Sequence, residues 1–411
     1  MTRRLPYVAL AIAALPALAF AQDPAQVQKD LKELKERIDE LEDQQSKTEE
    51  RIGGRAIVQA YTARSLDFGG HVTSLFTYMH GEGDSEAGHM VTLLELFLRA
   101  QIDDQWSLFA TPGFYTFNGG LLDNPATVSV PGDPTFIADD SSQAKTFLSR
   151  VYGQWKLSDA LQIQGGIVGT PHGTSNREYF IPSRTIAEAS LHTRYFLGNQ
   201  LYPQVVDGLR ASGKYTLGDT GHWLDYDAYY GALSENAGDA IYGARLGYVF
   251  GDLGLTIAAN AGAGTRNGST SPTTNFGALQ SPFAGTYNIG HDFQFGGIDV
   301  DWRQGDFVSK TELYYSAEDG LKDQRALSSE LTWFASPQWG LSYRFDYYDA
   351  GSDFNIFQTA IAERGTSTEH VVGVTYNPNN SVRLRLDAHH NNLPNSDDTA
   401  DYVNFSWSIS F

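Results

Sequence analysis

The sequence contains no cysteine in its 411 residues and only three methionines. Without thiols no disulfide can form, so a chain of this size must draw its stability from another source, and a sheet closed on itself is one. Basic residues are scarce. Lys and Arg number 29 against 49 Asp and Glu, a net charge of −20. That balance argues against a nucleic-acid partner and against attraction to an anionic membrane surface. After the first two dozen residues there is no long apolar run, which excludes a bundle of membrane helices. Aromatics at 13% and 41 glycines are plentiful instead, a composition that fits many alternating strands joined by turns.

The one apolar run is N-terminal. Arg3 and Arg4 precede Leu5 to Ala21, and the run closes in Ala19-Phe20-Ala21 before Gln22. A basic start, a short apolar stretch and a small-residue site make residues 1–21 a secretory signal peptide; about 17 residues is short for a membrane anchor. Export removes two arginines and no acid, leaving 27 basic against 49 acidic residues, or −22. Residues 22–52 follow a heptad, with Leu31 and Ile38 at a and Leu34 and Leu41 at d. Asp30 at g meets Lys35 at e of a parallel neighbour, and Arg37 meets Glu42, so the seam favours in-register self-assembly as an α-helical coiled coil. A single amphipathic helix on a domain surface is the alternative. The seam weakens at Gln45 and Thr48 before Gly53-Gly54, and 53–66 is a linker or the start of a first strand.

From 67 to 411 the period changes to two. In "TLLELFLRAQI" Leu94, Leu96 and Leu98 oppose Glu95, Arg99 and Gln101; in "QWGLSYRFDYY" Trp339, Leu341, Tyr343, Phe345 and Tyr347 oppose Arg344 and Asp346. Such alternation marks strands with one apolar and one polar face. Tight connections fall near Asp103-Asp104, Ser158-Asp159, Gly218-Asp219, Gly251-Asp252, Gly305-Asp306, Ser336-Pro337 and Pro378-Asn379. Long ones, 118–145, 170–206, 265–288, 350–367 and 390–400, fall between them. Short turns at one end and long loops at the other predict an all-β transmembrane barrel of about 16 antiparallel strands. Gly296-Gly297 is a place where a bulge would exchange the two faces.

The chain ends with Val403, Phe405, Trp407, Ile409 and Phe411 alternating with small polar residues. A terminal Phe in this setting resembles the C-terminal signature of Gram-negative outer-membrane proteins read by the barrel-assembly machinery. Together, the signal peptide, coiled coil, strands and terminal Phe resemble the trimeric porin superfamily. The coiled coil is similar to that of sucrose-type porins and of the dicarboxylate porin group called DcaP. The "GGIVGTPHG" stretch, Gly165 to Gly173, resembles the segment entering the constriction loop of phosphate-selective O/P porins. The resemblance implies a homotrimer in the outer membrane, contacting lipid and lipopolysaccharide, with the stalk in the periplasm and small hydrophilic solutes as cargo. It also implies that the third outer loop, 170–206, folds inward and narrows the pore.

That loop carries Arg177, Arg184, Glu188, His192 and Arg194. Charges facing one another across a wet constriction order solutes by charge and dipole; an exposed loop solvating its charges is the plainer reading. On the strands, the polar parity holds Arg99, Arg150, Lys156, Arg210, Lys214, Arg245, Lys310, Arg344, Arg383 and Arg385. It also holds Glu95, Asp225, Asp227, Glu312, Glu330, Asp346, Glu369 and Asp387. This near balance in an acidic chain leaves the wall relatively basic, a preference for small anions such as phosphate or carboxylates. Sugar transport is the rival, with Tyr229 and Tyr348 facing inward, and a stalk tethered to peptidoglycan is another. No nucleophile has a base and an orienter in recognisable context, so no enzyme is expected. His389-His390 lacks a spaced third ligand, so neither a metal site nor any cofactor is expected.

Overall fold

The computed structural model describes residues 64–80, 85–117, 145–177, 183–187, 190–193, 201–203, 205–232, 240–266, 291–318, 323–349, 352–354, 360–363, 366–392 and 399–411, with Lys32, Lys35 and Arg37. The signal peptide and most of the stalk lie outside these residues; Lys32, Lys35 and Arg37 are helical and exposed.

Alternation becomes strand along the whole described chain. In order these are β1 (Ser65–His80), β2 (Ser85–Gln101), β3 (Trp106–Phe117), β4 (Lys145–Ser158), β5 (Leu161–Gly169), β6 (Val205–Thr216), β7 (His222–Ala232), β8 (Ala240–Phe250) and β9 (Leu255–Arg266). There follow β10 (His291–Gln304), β11 (Phe307–Glu318), β12 (Gln324–Phe334), β13 (Trp339–Asp349), β14 (Ser352–Phe354), β15 (Ala360–Glu363), β16 (Thr366–Asn379), β17 (Val382–Asn392) and β18 (Thr399–Ser410). Sixteen of them form one closed barrel of sequential neighbours, while β14 and β15 pair only with each other inside the connection 350–365. All seven expected tight turns join strands at one end. At the other end 81–84, 233–239 and 319–323 are also short, so loop length alone does not mark that end.

By contact the chain divides into two units, Met1–Leu66 with Ala100–Asp104, and Asp67–Arg99 with Gln105–Phe411. In the first, Arg64 pairs with Asp104 at 2.9 Å, and its amide donates to the Gln101 carbonyl at 2.6 Å. The second carries the closure of the barrel. β1 runs antiparallel to β18 from His71↔Ser410 to His80↔Asp401. Phe411 extends the ladder: its amide donates to Gly70 O at 3.0 Å, and Gly70 N donates to its carbonyl at 3.1 Å. A Cβ at Gly70 would come within 2.8 Å of the Phe411 ring and 2.7 Å of Glu95 O, so a side chain there would obstruct the seam. Closure removes both sheet edges, which no lipid environment could satisfy.

The faces are inverted relative to a water-soluble protein. On β11, Glu312 is 3% exposed and its neighbour Leu313 is 53% exposed. The same holds on β13 and β17, where Arg344 and Asp387 are buried and Leu341 and Leu386 are exposed. Aromatics gather toward the strand ends of the outer face. Tyr230 and Tyr242 pair near the loop end, while the stacked pairs Trp106–Trp155 and Trp339–Tyr376 lie near the turns. Such belts suit the two water–lipid boundaries. The bulge expected at Gly296-Gly297 is absent: β10 keeps register with both neighbours. Gly297 instead makes room for Tyr314, whose ring a Cβ would meet at 2.3 Å. Among the described pairings, the register shifts at Ala110/Pro112, Lys156/Ser158 and Tyr376/Asn379 in the barrel and at Ser352/Asp353 in the β14–β15 pair.

Candidate functional site: a loop mounted on the inner wall

Between β5 and β6 the chain turns into the barrel. Thr170 Oγ1 donates to Pro203 O, tying the two ends of the loop together. His172 is fully buried, its Nδ1 3.0 Å from Asn260 Oδ1 on β9 and its Nε2 3.0 Å from the Tyr229 hydroxyl on β7. Phe295 meets the ring edge-on at 4.7 Å. Burial pushes this imidazole down to about 4, against the smaller opposing effects of Asn260 and Asp299.

Gly173 then bends the chain with φ 69°. Its amide donates to the Tyr314 hydroxyl at 2.8 Å, and the next amide, of Thr174, donates to Glu312 Oε2 at 2.8 Å. A single helical turn, Thr174–Arg177, delivers Arg177 to β10, where it pairs with Asp299 at 3.1 Å and Asp301 at 2.6 Å. Burial works to lower the Arg177 pKa, but the two carboxylates outweigh it and raise it.

The later described segments continue around the wall. Arg184 O accepts from Arg383 at 3.0 Å and Arg385 at 3.2 Å, both on β17. Thr185 donates to Glu330 on β12, and its carbonyl accepts from Thr375 on β16 at 2.7 Å. The Ala187 amide donates to Asp387 at 3.0 Å and the Leu191 amide to Asp346 at 3.3 Å. Ser190 and His192 both reach Glu312 at 3.3 Å. Leu191, Leu201 and Tyr202 close over Ile241, Phe293, Phe295, Tyr314 and Tyr348 in one apolar cluster. Fully burying a leucine stabilises by about 2 kcal/mol, and amide–carboxylate bonds are stronger than neutral ones. The loop is thus fixed to the inner faces of β7 to β17.

The facing wall, β2 to β6, is different in kind. Arg99, Arg150 and Arg210 stand close enough to Tyr152 for their charges to act on its hydroxyl. The Arg150 guanidinium lies against Gly169, where a Cβ would meet it at 2.7 Å. Arg210 donates to Asp227 at 2.6 Å and to Gly169 O at 3.1 Å. Arg99 is exposed on this inner face. Lys214, nearer the turns, lies 5.7 Å over the Trp223 ring.

Several sequence expectations change here. Arg177 does not look across a gap; its charge is neutralised on the wall by Asp299 and Asp301. Arg344 is buried between Asp346 at 2.9 Å and Glu369 at 3.4 Å. Arg385 is buried against Ser406 and Ser408, and the half-buried Arg383 donates to Asn377 at 2.8 Å. These three hold the wall and the Arg184 carbonyl. Glu188 and Arg194 lie outside the described residues. Sequence reasoning missed the wall acids as loop mounts. Phe293 and Phe295 share the parity of Asp299 and Asp301, and that parity is the signal that marks them as inward.

No family model matches the sequence, and no curated protein matches it. Solved structures do. OmpT of Vibrio cholerae in its trimer form is 15% identical with a TM-score of 0.52, over 84% of this chain and 99% of that one. An anion-selective porin from Comamonas acidovorans is 11% identical with a TM-score of 0.56, over 84% and 99%. OprB of Pseudomonas putida is 11% identical with a TM-score of 0.54, over 88% and 97%. At these identities the likeness is one of fold, the closed barrel of outer-membrane porins.

Proposed function

We propose that the chain forms a water-filled diffusion pore in the outer membrane for small hydrophilic solutes, with loop 170–206 narrowing the passage and small anions favoured. One observation carries the charge preference. The described carboxylates of β10 to β17 that the loop meets are engaged by its amides and hydroxyls or by cations. By contrast, Arg99 on β2 is exposed and Arg150 on β4 gathers with it beside Tyr152, while Arg210 on β6 is already paired with Asp227. An engaged acid repels a passing anion weakly. A guanidinium beside open water attracts it and offers a planar fork to its oxygens. The anion-selective porin among the structures of like fold is compatible with this reading.

The sugar alternative loses its support, since Tyr229 and Tyr348 are 4% and 1% exposed under the loop cluster and offer no stacking face. A homotrimer is favoured by the heptad seam of 22–52 and by the trimer form of OmpT. Single-channel recording in planar bilayers across a salt gradient tests the function. The expected result is conductance in steps of three with a reversal potential on the anion side, moving toward zero in Arg99→Ala/Arg150→Ala. A cation-side reversal overturns the preference, and no conductance overturns the pore.

A further inference from the structure

Lipid-facing parity should carry apolar residues, and at one level near the loop end it does not. His370 on β16 is exposed on the outer face, and its register partner on β17 is His390. The register partner of His390 on β18 is Asp401. Directly opposed residues on one face of an antiparallel pair have Cβ atoms about 5 Å apart. One small ion can therefore reach both imidazoles.

Each ring is held from behind through Nδ1. The Tyr343 hydroxyl lies 2.8 Å from His370 Nδ1, and Asp401 Oδ1 lies 2.6 Å from His390 Nδ1. Phe345 packs against the His370 ring at 5.1 Å. In the tautomer whose Nδ1–H donates to that oxygen, the lone pair of the neutral imidazole sits on Nε2. An oxygen partner behind the ring is the arrangement that orients metal-binding histidines elsewhere. The side chains of His390 and Asp401 are 50% and 57% exposed, so the approach is open. The adjacent His389 belongs to the other face, bonded to Glu369 at 3.2 Å; the sequence neighbour was the wrong partner for His390, and the cross-strand one is the right one.

We propose that His370 and His390 bind one divalent transition-metal ion through their Nε2 atoms, with Tyr343 and Asp401 as positioning residues. Imidazole donors select Zn²⁺, Cu²⁺ or Ni²⁺ over Mg²⁺ and Ca²⁺, which prefer oxygen. No group of three or more His, Cys, Asp or Glu suited to a metal occurs among the described residues. The pair is therefore a two-point anchor, with water or the oxygens of surface lipids completing the coordination.

The test uses the full chain purified in detergent with millimolar Mg²⁺ present to occupy oxygen sites. It is titrated with Zn²⁺ by calorimetry and with Cu²⁺ by low-temperature electron paramagnetic resonance. Both His370→Ala and His390→Ala should lose the same one equivalent, and the two-nitrogen Cu²⁺ signal of the parent should disappear in each. Asp401→Asn should keep the equivalent and weaken it about tenfold. Strand content by circular dichroism verifies folding, with His370→Gln and His390→Gln in reserve should an alanine variant misfold. Unchanged stoichiometry in both variants, or a loss in only one, overturns the two-histidine site.

Discussion

The two halves of the inner wall use the same residue types to opposite ends. On β10 to β17, acids and arginines are buried, mutually paired and bonded to the loop. On β2 to β6, Arg99 is exposed and Arg150 half-buried, while Arg210 pairs with Asp227. A buried carboxylate that accepts loop amides is a mounting point, and removing it leaves donors orphaned in a dry place. A cation on an open wall is screened by water and contributes little to folding. Charge on the inside of a barrel is thus not one category. Stability should depend on the loop-bearing half and selectivity on the facing half.

The largest effect expected is at Glu312, which accepts the Thr174 amide and faces His192 and Ser190. Glu312→Ala should lower the unfolding free energy by about 3 kcal/mol, because the Thr174 amide and the Ser190 hydroxyl lose their buried acceptor. Urea denaturation checks this, and hydrogen exchange of 170–177 should rise. An equal loss in Arg99→Ala would erase the distinction between the halves.

Acid should act on the same half. His172 donates from Nδ1 to Asn260 and accepts at Nε2 from Tyr229, so its neutral form satisfies both neighbours. Its folded pKa of about 4 lies below the unfolded value of 6.5. Above pH 6.5 the group is neutral in both states and costs nothing. As pH falls from 6.5 toward 4 the unfolded chain binds the proton first, and the contribution falls by up to about 3 kcal/mol. His172→Asn should flatten that part of the stability–pH curve.

Most of the barrel is legible in the sequence because its signal is local. Alternation gives strands such as β13, Gly-Asp and Ser-Pro pairs give the turns, and Phe411 gives the closure. Strand order points to the third loop at 170–206, and the connection between β5 and β6 runs over 170–204. What could not be read is which wall the loop lies on. That depends on pairings such as Thr174 with Glu312 and Ala187 with Asp387, which are 138 and 200 residues apart. No short-range pattern separates Asp387, bonded to a loop amide, from an acid facing water.

Gly173→Ala should cost about 2 kcal/mol, less than the loss of Glu312. The residue has positive φ, and a Cβ would sit 1.8 Å from the Tyr202 hydroxyl, so either the backbone or the apolar cluster must shift. Thermal unfolding gives the cost. A neutral outcome would mean that the loop entrance tolerates rearrangement and that the mounted half is less rigid than its bonds imply.

The smallest stability effect belongs to the facing half. Arg99→Ala removes an exposed side chain, and such surface changes stay within about 0.5 kcal/mol. Its effect should fall on ions instead. With Arg150 still present the reversal potential should move only part of the way to zero. Raising ionic strength should shrink the difference between variant and parent, because an exposed charge is screened over a Debye length of about 10 Å at 0.1 M salt. Arg177→Ala should do the reverse, with its main effect on the stability of the loop. Asp299 keeps Arg245, and the Asp301 carboxylate left behind should move the reversal potential less than the loss of Arg99 does. If the two variants instead move stability and selectivity together, the halves are not separate devices and the arginines of β2 to β6 also hold the fold.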